Sequence, residues 1–150
     1  MSLPFKLLGL LMIFSASAAG GIMKSMQLKQ RYKKLSRICR SLKDLKERIR
    51  LNSGEIGRLV NGSFGGLAVY KNGDFIINEA GLEKGDISLI NEFFRDIGMS
   101  DTESECERTE LYISLISKKC SEAEQKCREL CRLYNSIGIL GGIFICIFFL

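Results

Sequence analysis

The chain contains no histidine, and it carries no charge beyond Lys6 in its first 23 residues and none after Arg132. Without His the commonest general base is missing, and with it the Cys/His and Ser/His pairs of nucleophilic catalysis. The glycines at 62, 65 and 66 are not followed by Lys and Ser or Thr, so they do not form a phosphate-binding loop. These absences point away from an enzyme, and no residue set suggests a cofactor or a small-molecule substrate.

What the ends do contain is apolar sequence. Leu7 to Met23 is an uncharged run of seventeen residues between Lys6 and Lys24, and Ile137 to Leu150 is a second of fourteen. As helices they reach roughly 26 Å and 21 Å against a hydrocarbon layer of about 30 Å. Both are short. Extending the second back to Leu133, or a thinner bilayer, supplies the difference. The predicted organisation is an N-terminal transmembrane helix over 1–23, a cytoplasmic helical domain over 24–136, and a C-terminal transmembrane helix over 137–150 continuous with the last cytoplasmic helix. A competing reading takes Lys6, Leu7 to Phe14 and Ala16, Ser17, Ala18 as a cleavable secretory signal.

Charge placement favours the membrane reading. Net charge is +1 over 1–23, +9 over 24–50, −7 over 51–116 and +2 over 117–150. Basic residues close behind an apolar segment tend to stay on the cytoplasmic side, and they attract anionic headgroups at about 1 kcal/mol each. Lys24, Lys29, Lys33 and Lys34 are the candidate lipid contacts; nucleic acid is the rival partner for the same stretch and is not the one expected. Six cysteines would pair in a secreted protein but stay reduced in the cytoplasm. Cys106, Cys120, Cys127 and Cys131 share one helical face with Ile116 and Ala123, which suits small apolar core residues. Their spacing matches none of the usual zinc patterns, so no metal is expected.

Leu28, Tyr32, Leu35, Ile38, Leu42, Leu45 and Ile49 recur at helical spacing and predict an amphipathic helix over Lys24 to Leu51. Ile113, Ile116, Cys120, Ala123, Cys127, Leu130 and Tyr134 predict another, from near Asp101 into the apolar tail. Tied to one bilayer, the two must run antiparallel and bury their stripes against each other. Gly98 suits a left-handed helix end, and Ser100 with Glu103 reads as a capping box. Ile87 to Ile97 is a shorter helix with Asp86 as its expected cap. Gly54 to Val60 reads as a helical turn or two. Asn72 and Gly73, between the apolar pieces 67–70 and 75–77, signal a small β-hairpin that competes with irregular or helical structure there. In the apolar ends Ala16 and Gly20, Ser17 and Gly21, and Gly138 and Gly142 are spaced by four, which suits close helix packing in lipid or reflects the frequency of Gly there.

Three segments occur together and in order: Lys6-Leu7-Leu8-Gly9, then Ile97-Gly98-Met99-Ser100-Asp101, then Tyr134-Asn135-Ser136-Ile137-Gly138-Ile139-Leu140-Gly141-Gly142. In these the chain resembles the stage III sporulation protein AB family. Where that family typically reads Leu-Gly-x-Ser-Asp followed by Gln, Ile97 replaces the Leu and Glu105 stands in the place of the Gln. The resemblance implies an all-α protein: transmembrane helices flank an antiparallel helical bundle similar to the cytoplasmic (F-type) domain of the type II secretion platform. It also implies residence in the mother cell membrane around the forespore, within a channel complex whose cytoplasmic partner is a secretion-type ATPase. The expected role is a membrane-anchored scaffold or adaptor. Its expected contact region comprises Gly98, Ser100, Asp101, Glu103, Glu105, Glu107 and Glu110, an acidic run that also reads simply as solvated surface at a helix start. The alternatives are a secreted disulfide-bonded protein and a peripheral binder of anionic lipid or nucleic acid.

Overall fold

The computed structural model describes residues 3–51, 55–71 and 74–149. In chain order these form α1 (Leu3–Leu51), α2 (Ile56–Phe64), β1 (Ala68–Lys71), β2 (Asp74–Ile77), α3 (Lys84–Arg95) and α4 (Thr102–Phe149). They divide into two compact units, a larger one of Arg31–Glu122 and a smaller one of Met1–Gln30 with Ala123–Leu150.

In the larger unit the predicted stripe of α1 is the core: Leu35, Ile38, Leu42, Leu45 and Ile49 are all buried. Phe94 of α3 gathers the rest, with ring centroids 5.2 Å from Phe64, 4.8 Å from Phe75 and 5.2 Å from Phe93. Each such ring pair contributes about 0.5 to 1.5 kcal/mol beyond the area it buries. This cluster resolves the ambiguity near residue 70. A two-stranded hairpin is marginal alone, but Phe75 stacks on Phe94 and Ala68 is buried. The hairpin therefore forms, pairing Ala68 with Ile77, Val69 with Ile76, Tyr70 with Phe75 and Lys71 with Asp74. Its expected turn residues, Asn72 and Gly73, lie outside the described residues, as does Gly54. The apolar face of α2 carries the helix on to Phe64, beyond the expected end at Val60.

α3 starts earlier than its apolar pattern suggests, at Lys84, and its cap is Glu83 instead of Asp86. Asp86 sits three residues inside, where its Oδ2 accepts from the Glu83 N–H at 3.2 Å. The apolar stripe marks only the buried face, so the polar first turn is invisible to it.

In the smaller unit the two long helices run antiparallel. A Cβ on Gly21 would lie 2.6 Å from the Tyr134 carbonyl oxygen and 3.7 Å from the Gly138 Cα. Further along, the Cys131 thiol lies 3.5 Å from the Ser25 carbonyl oxygen. Gly138 and Gly142 are buried in this unit, whereas Ala16 and Gly20 are exposed and nothing lies within 4 Å of a Cβ at Gly20. Gly21, not Gly20, makes the close approach. Among the residues whose side chains are described, the buried ones of this unit are small or polar, Ser25, Ala123, Cys131, Gly138 and Gly142, while Met12, Ile22, Leu140, Phe144 and Ile147 are exposed. Among the described residues no helix is long and apolar enough to cross a membrane. The two spans expected over 1–23 and 137–150 are thus not met as complete crossings: each apolar run is shorter than a bilayer core and continues directly into charged helix. The side chains of Lys6, Leu7, Leu8 and Ser17 lie outside the described residues.

Candidate functional site

The turn from α3 to α4 is organised by one buried carboxylate. Gly98 has φ +86°, the left-handed conformation its sequence position suggests. Glu105 Oε1 then accepts from the Gly98 N–H at 2.9 Å and the Ser100 N–H at 3.2 Å. The cap of α4 is Asp101, not Ser100: its carboxylate accepts from the Ser104 N–H at 3.4 Å and from the Ser104 hydroxyl at 2.6 Å. The Ser104 hydroxyl and amide hold the Asp101 carboxyl below its usual range. Glu105 is displaced from the expected solvated surface because it lies on the inward face: residues 105, 109 and 116 are all buried. Its Oε2 has no hydrogen-bond partner among the described residues, and the nearest cation, Arg108 Nη2, is 3.7 Å away.

The seven residues expected to form a contact face therefore separate. Glu105 is structural, and Glu110 Oε2 accepts from Lys46 Nζ at 2.9 Å. Gly98, Ser100, Asp101, Glu103 and Glu107 are exposed. Beside them opens a groove of 670 Å³, walled by Ile56 and Gly57 of α2, Tyr70 and Phe75 of the hairpin, Phe94 of α3 and Met99 of the turn. Met99 is 78% exposed, a large apolar side chain held beside an acidic helix start.

A second polar centre was not legible as one. Arg31 donates through Nε to Asp86 Oδ2 at 2.8 Å and through Nη2 to Asp86 Oδ1 at 3.0 Å, a two-pronged pair in which both residues are buried. Glu83 adds a bond to Nη1 at 2.6 Å. Burial pushes the Asp86 carboxyl up, but the Arg31 hydrogen bond, the Glu83 amide and the charges of Arg31 and Lys119 outweigh it, so the carboxyl sits below its ordinary value. Arg31 reads in the sequence as one basic residue among many. The available signal is its phase, four residues before Leu35 and seven before Ile38, which puts it on the buried stripe.

Of the four candidate lipid lysines, Lys24, Lys29 and Lys33 are exposed. Lys34 is committed elsewhere, its Nζ donating to Asn78 Oδ1 at 2.9 Å and the Ala80 carbonyl at 2.6 Å. Burial lowers its pKa. The Cys127 and Cys131 sulfurs lie 3.4 Å apart. Burial pushes the Cys127 thiol up, as does its hydrogen bond with Cys131. Among the described residues no group of three metal-ligating side chains comes together.

A model of the stage III sporulation protein AB family matches residues 68–150, from the first strand of the hairpin to the end of the chain. That is more than half of the 150 residues, and the chain belongs to this family, whose role is in sporulation. No curated protein and no solved structure matches it.

Proposed function

We propose that this member of the stage III sporulation protein AB family is a non-catalytic, membrane-associated scaffold of a secretion-like channel complex. In this reading the smaller unit associates with the mother cell membrane around the forespore, and the larger unit, in the cytoplasm, docks a secretion-type ATPase. The observation that carries it is the inverted burial among the described side chains of the smaller unit. Gly138, Gly142, Ser25 and Cys131 are inside, while Ile22, Leu140, Phe144 and Ile147 face out. A helix pair in water hides its large apolar side chains; one in lipid exposes them and packs through small residues. The apolar runs are short for a full crossing, so local thinning of the bilayer or partner helices complete the fit.

The docking face is the exposed acidic start of α4, with Asp101, Glu103 and Glu107 as its charges. Glu105 and Glu110 are excluded by their internal bonds. The tests separate the two halves of the reading. The full-length protein should remain with membranes after alkaline carbonate extraction, and recovery in the soluble fraction would remove the membrane assignment. Joint reversal of Asp101, Glu103 and Glu107 to Lys should weaken capture of the sporulation ATPase by about tenfold, roughly 1.4 kcal/mol. Undiminished capture would move the contact elsewhere.

A further inference from the structure

We infer that Cys127 and Cys131 form a two-thiol site for a trivalent arsenical with one organic substituent, the arsenic bridging both sulfurs across one turn of α4. The sulfurs lie 3.4 Å apart. Cys127 is half-buried and gives the point of entry, while Cys131 is buried with its thiol 3.5 Å from the Ser25 carbonyl oxygen of α1. All three residues belong to the smaller unit. The scaffold reading makes no use of this pair, so the inference does not rest on it.

Spacing selects the ligand. A disulfide needs Cβ atoms about 3.8 Å apart, whereas residues four apart on a helix hold theirs at about 5 to 6 Å. Direct oxidation of the pair has to distort the turn; one atom inserted between the sulfurs does not. A structural zinc takes four ligands, and among the described residues no group of three His, Cys, Asp or Glu side chains comes together. A two-coordinate soft cation such as copper(I) sets its two sulfurs on opposite sides of the metal, wider than they stand here. Pyramidal trivalent arsenic instead holds two sulfurs on the same side, close to the separation observed. With one carbon substituent it has two exchangeable positions, one for each thiol.

Proton balance agrees with the spacing. A metal ion takes thiolates, so its binding releases protons. Burial and the hydrogen bond with Cys131 push the Cys127 thiol up, which keeps it protonated at neutral pH. The arsenical reacts as R–As(OH)2 with two S–H groups. Two As–O bonds break, two As–S bonds form, and each thiol proton leaves with a hydroxyl as water. Arsenic stays trivalent, neither sulfur is oxidised and no net proton is released. A thiol held in its protonated form is therefore no handicap to this ligand.

The test titrates the reduced full-length protein, in detergent micelles, with phenylarsine oxide, which hydrates to the R–As(OH)2 form. The first equivalent should block Cys127 and Cys131 together from N-ethylmaleimide, as read by peptide mass mapping, and excess 2,3-dimercaptopropanol should reverse the block. Cys127→Ser and Cys131→Ser each leave one sulfur of the pair and should weaken binding by about a hundredfold or more, because the second As–S bond forms at high effective concentration. Cys120→Ser should leave the affinity unchanged. Should a serine variant fail to fold, the protection pattern in the unaltered chain decides the matter. Protection of other cysteines in place of this pair, protection of only one of the two, equal affinity in a folded Cys127→Ser or Cys131→Ser chain, or no saturable uptake at micromolar phenylarsine oxide overturns the inference.

Discussion

Arg31 is buried, so its guanidinium has to be neutralised where it lies, and Asp86 does this with two hydrogen bonds. Removing one partner of such a pair leaves an uncompensated charge and costs about 3 to 5 kcal/mol, while replacing both with apolar residues of similar volume is close to neutral. Asp86→Ala is therefore expected to lower the urea midpoint sharply, and Arg31→Met with Asp86→Leu to restore most of it. The same pair sets a pH dependence. An unfolded Asp titrates near 3.9, and the folded carboxyl lies below its ordinary value. Below about pH 4 the unfolded chain binds the proton first. The stabilisation is present above that pH and is lost as pH falls through the folded pKa. Unfolding midpoints measured from pH 7 to pH 2 should show a loss that is shallower in the double variant.

At the level of elements, two junctions depend on single residues. In the α3–α4 turn Glu105 accepts from two backbone amides at once, so Glu105→Ala strands both and is expected to cost about 1 to 3 kcal/mol. Glu105→Gln keeps a carbonyl acceptor in the same place, the residue the family resemblance puts there, and should retain most of the stability in thermal unfolding. In the smaller unit the approach of α1 to α4 at Gly21 is limited by backbone, not by a side chain that can move aside. Gly21→Ala forces the helices apart and should destabilise by about 1 to 3 kcal/mol. Gly20→Ala meets nothing within 4 Å and should be neutral or stabilising by about 0.5 to 1 kcal/mol through helix propensity. Circular dichroism melts of the two variants, run side by side, check the contrast. Spacing by four picks out both glycines equally; only the rotation of each helix about its axis distinguishes them.

At the level of the whole molecule, the two units follow opposite rules of burial. Among the described side chains, the larger hides aromatic and branched residues and shows most of its charge; the smaller hides glycine, serine and cysteine and shows apolar side chains. Lys24, Lys29 and Lys33 are exposed, and each contributes about 1 kcal/mol near an anionic surface. Sedimentation with phosphatidylglycerol vesicles should therefore exceed that with neutral vesicles, and Gln at these three positions should remove the difference. The excess should shrink as salt shortens the Debye length from about 10 Å at 0.1 M to about 3 Å at 1 M, while any apolar component persists. Lys34→Gln should leave vesicle binding unaltered and instead lower the melting temperature, since that side chain ties α1 to Asn78 and Ala80.

Periodicity alone located most of the helix, because a stripe of Leu and Ile at three and four residues has one low-energy way to be buried. Residue type at a helix end located the left-handed Gly98, and two of the three family segments, at 97–101 and 134–142, fall within the matched residues 68–150. Periodicity did not resolve the hairpin, the start of α3 or the cap of α4. Hairpin stability depends on Phe94, a contact distant in sequence, and caps depend on which of several polar side chains reaches a free amide. Nor did composition show which charges are solvated. Arg31, Asp86 and Glu105 look like surface residues in a list of charges, and only the tertiary structure, by bringing a guanidinium or backbone amides within 3.2 Å of each carboxylate, makes their burial affordable.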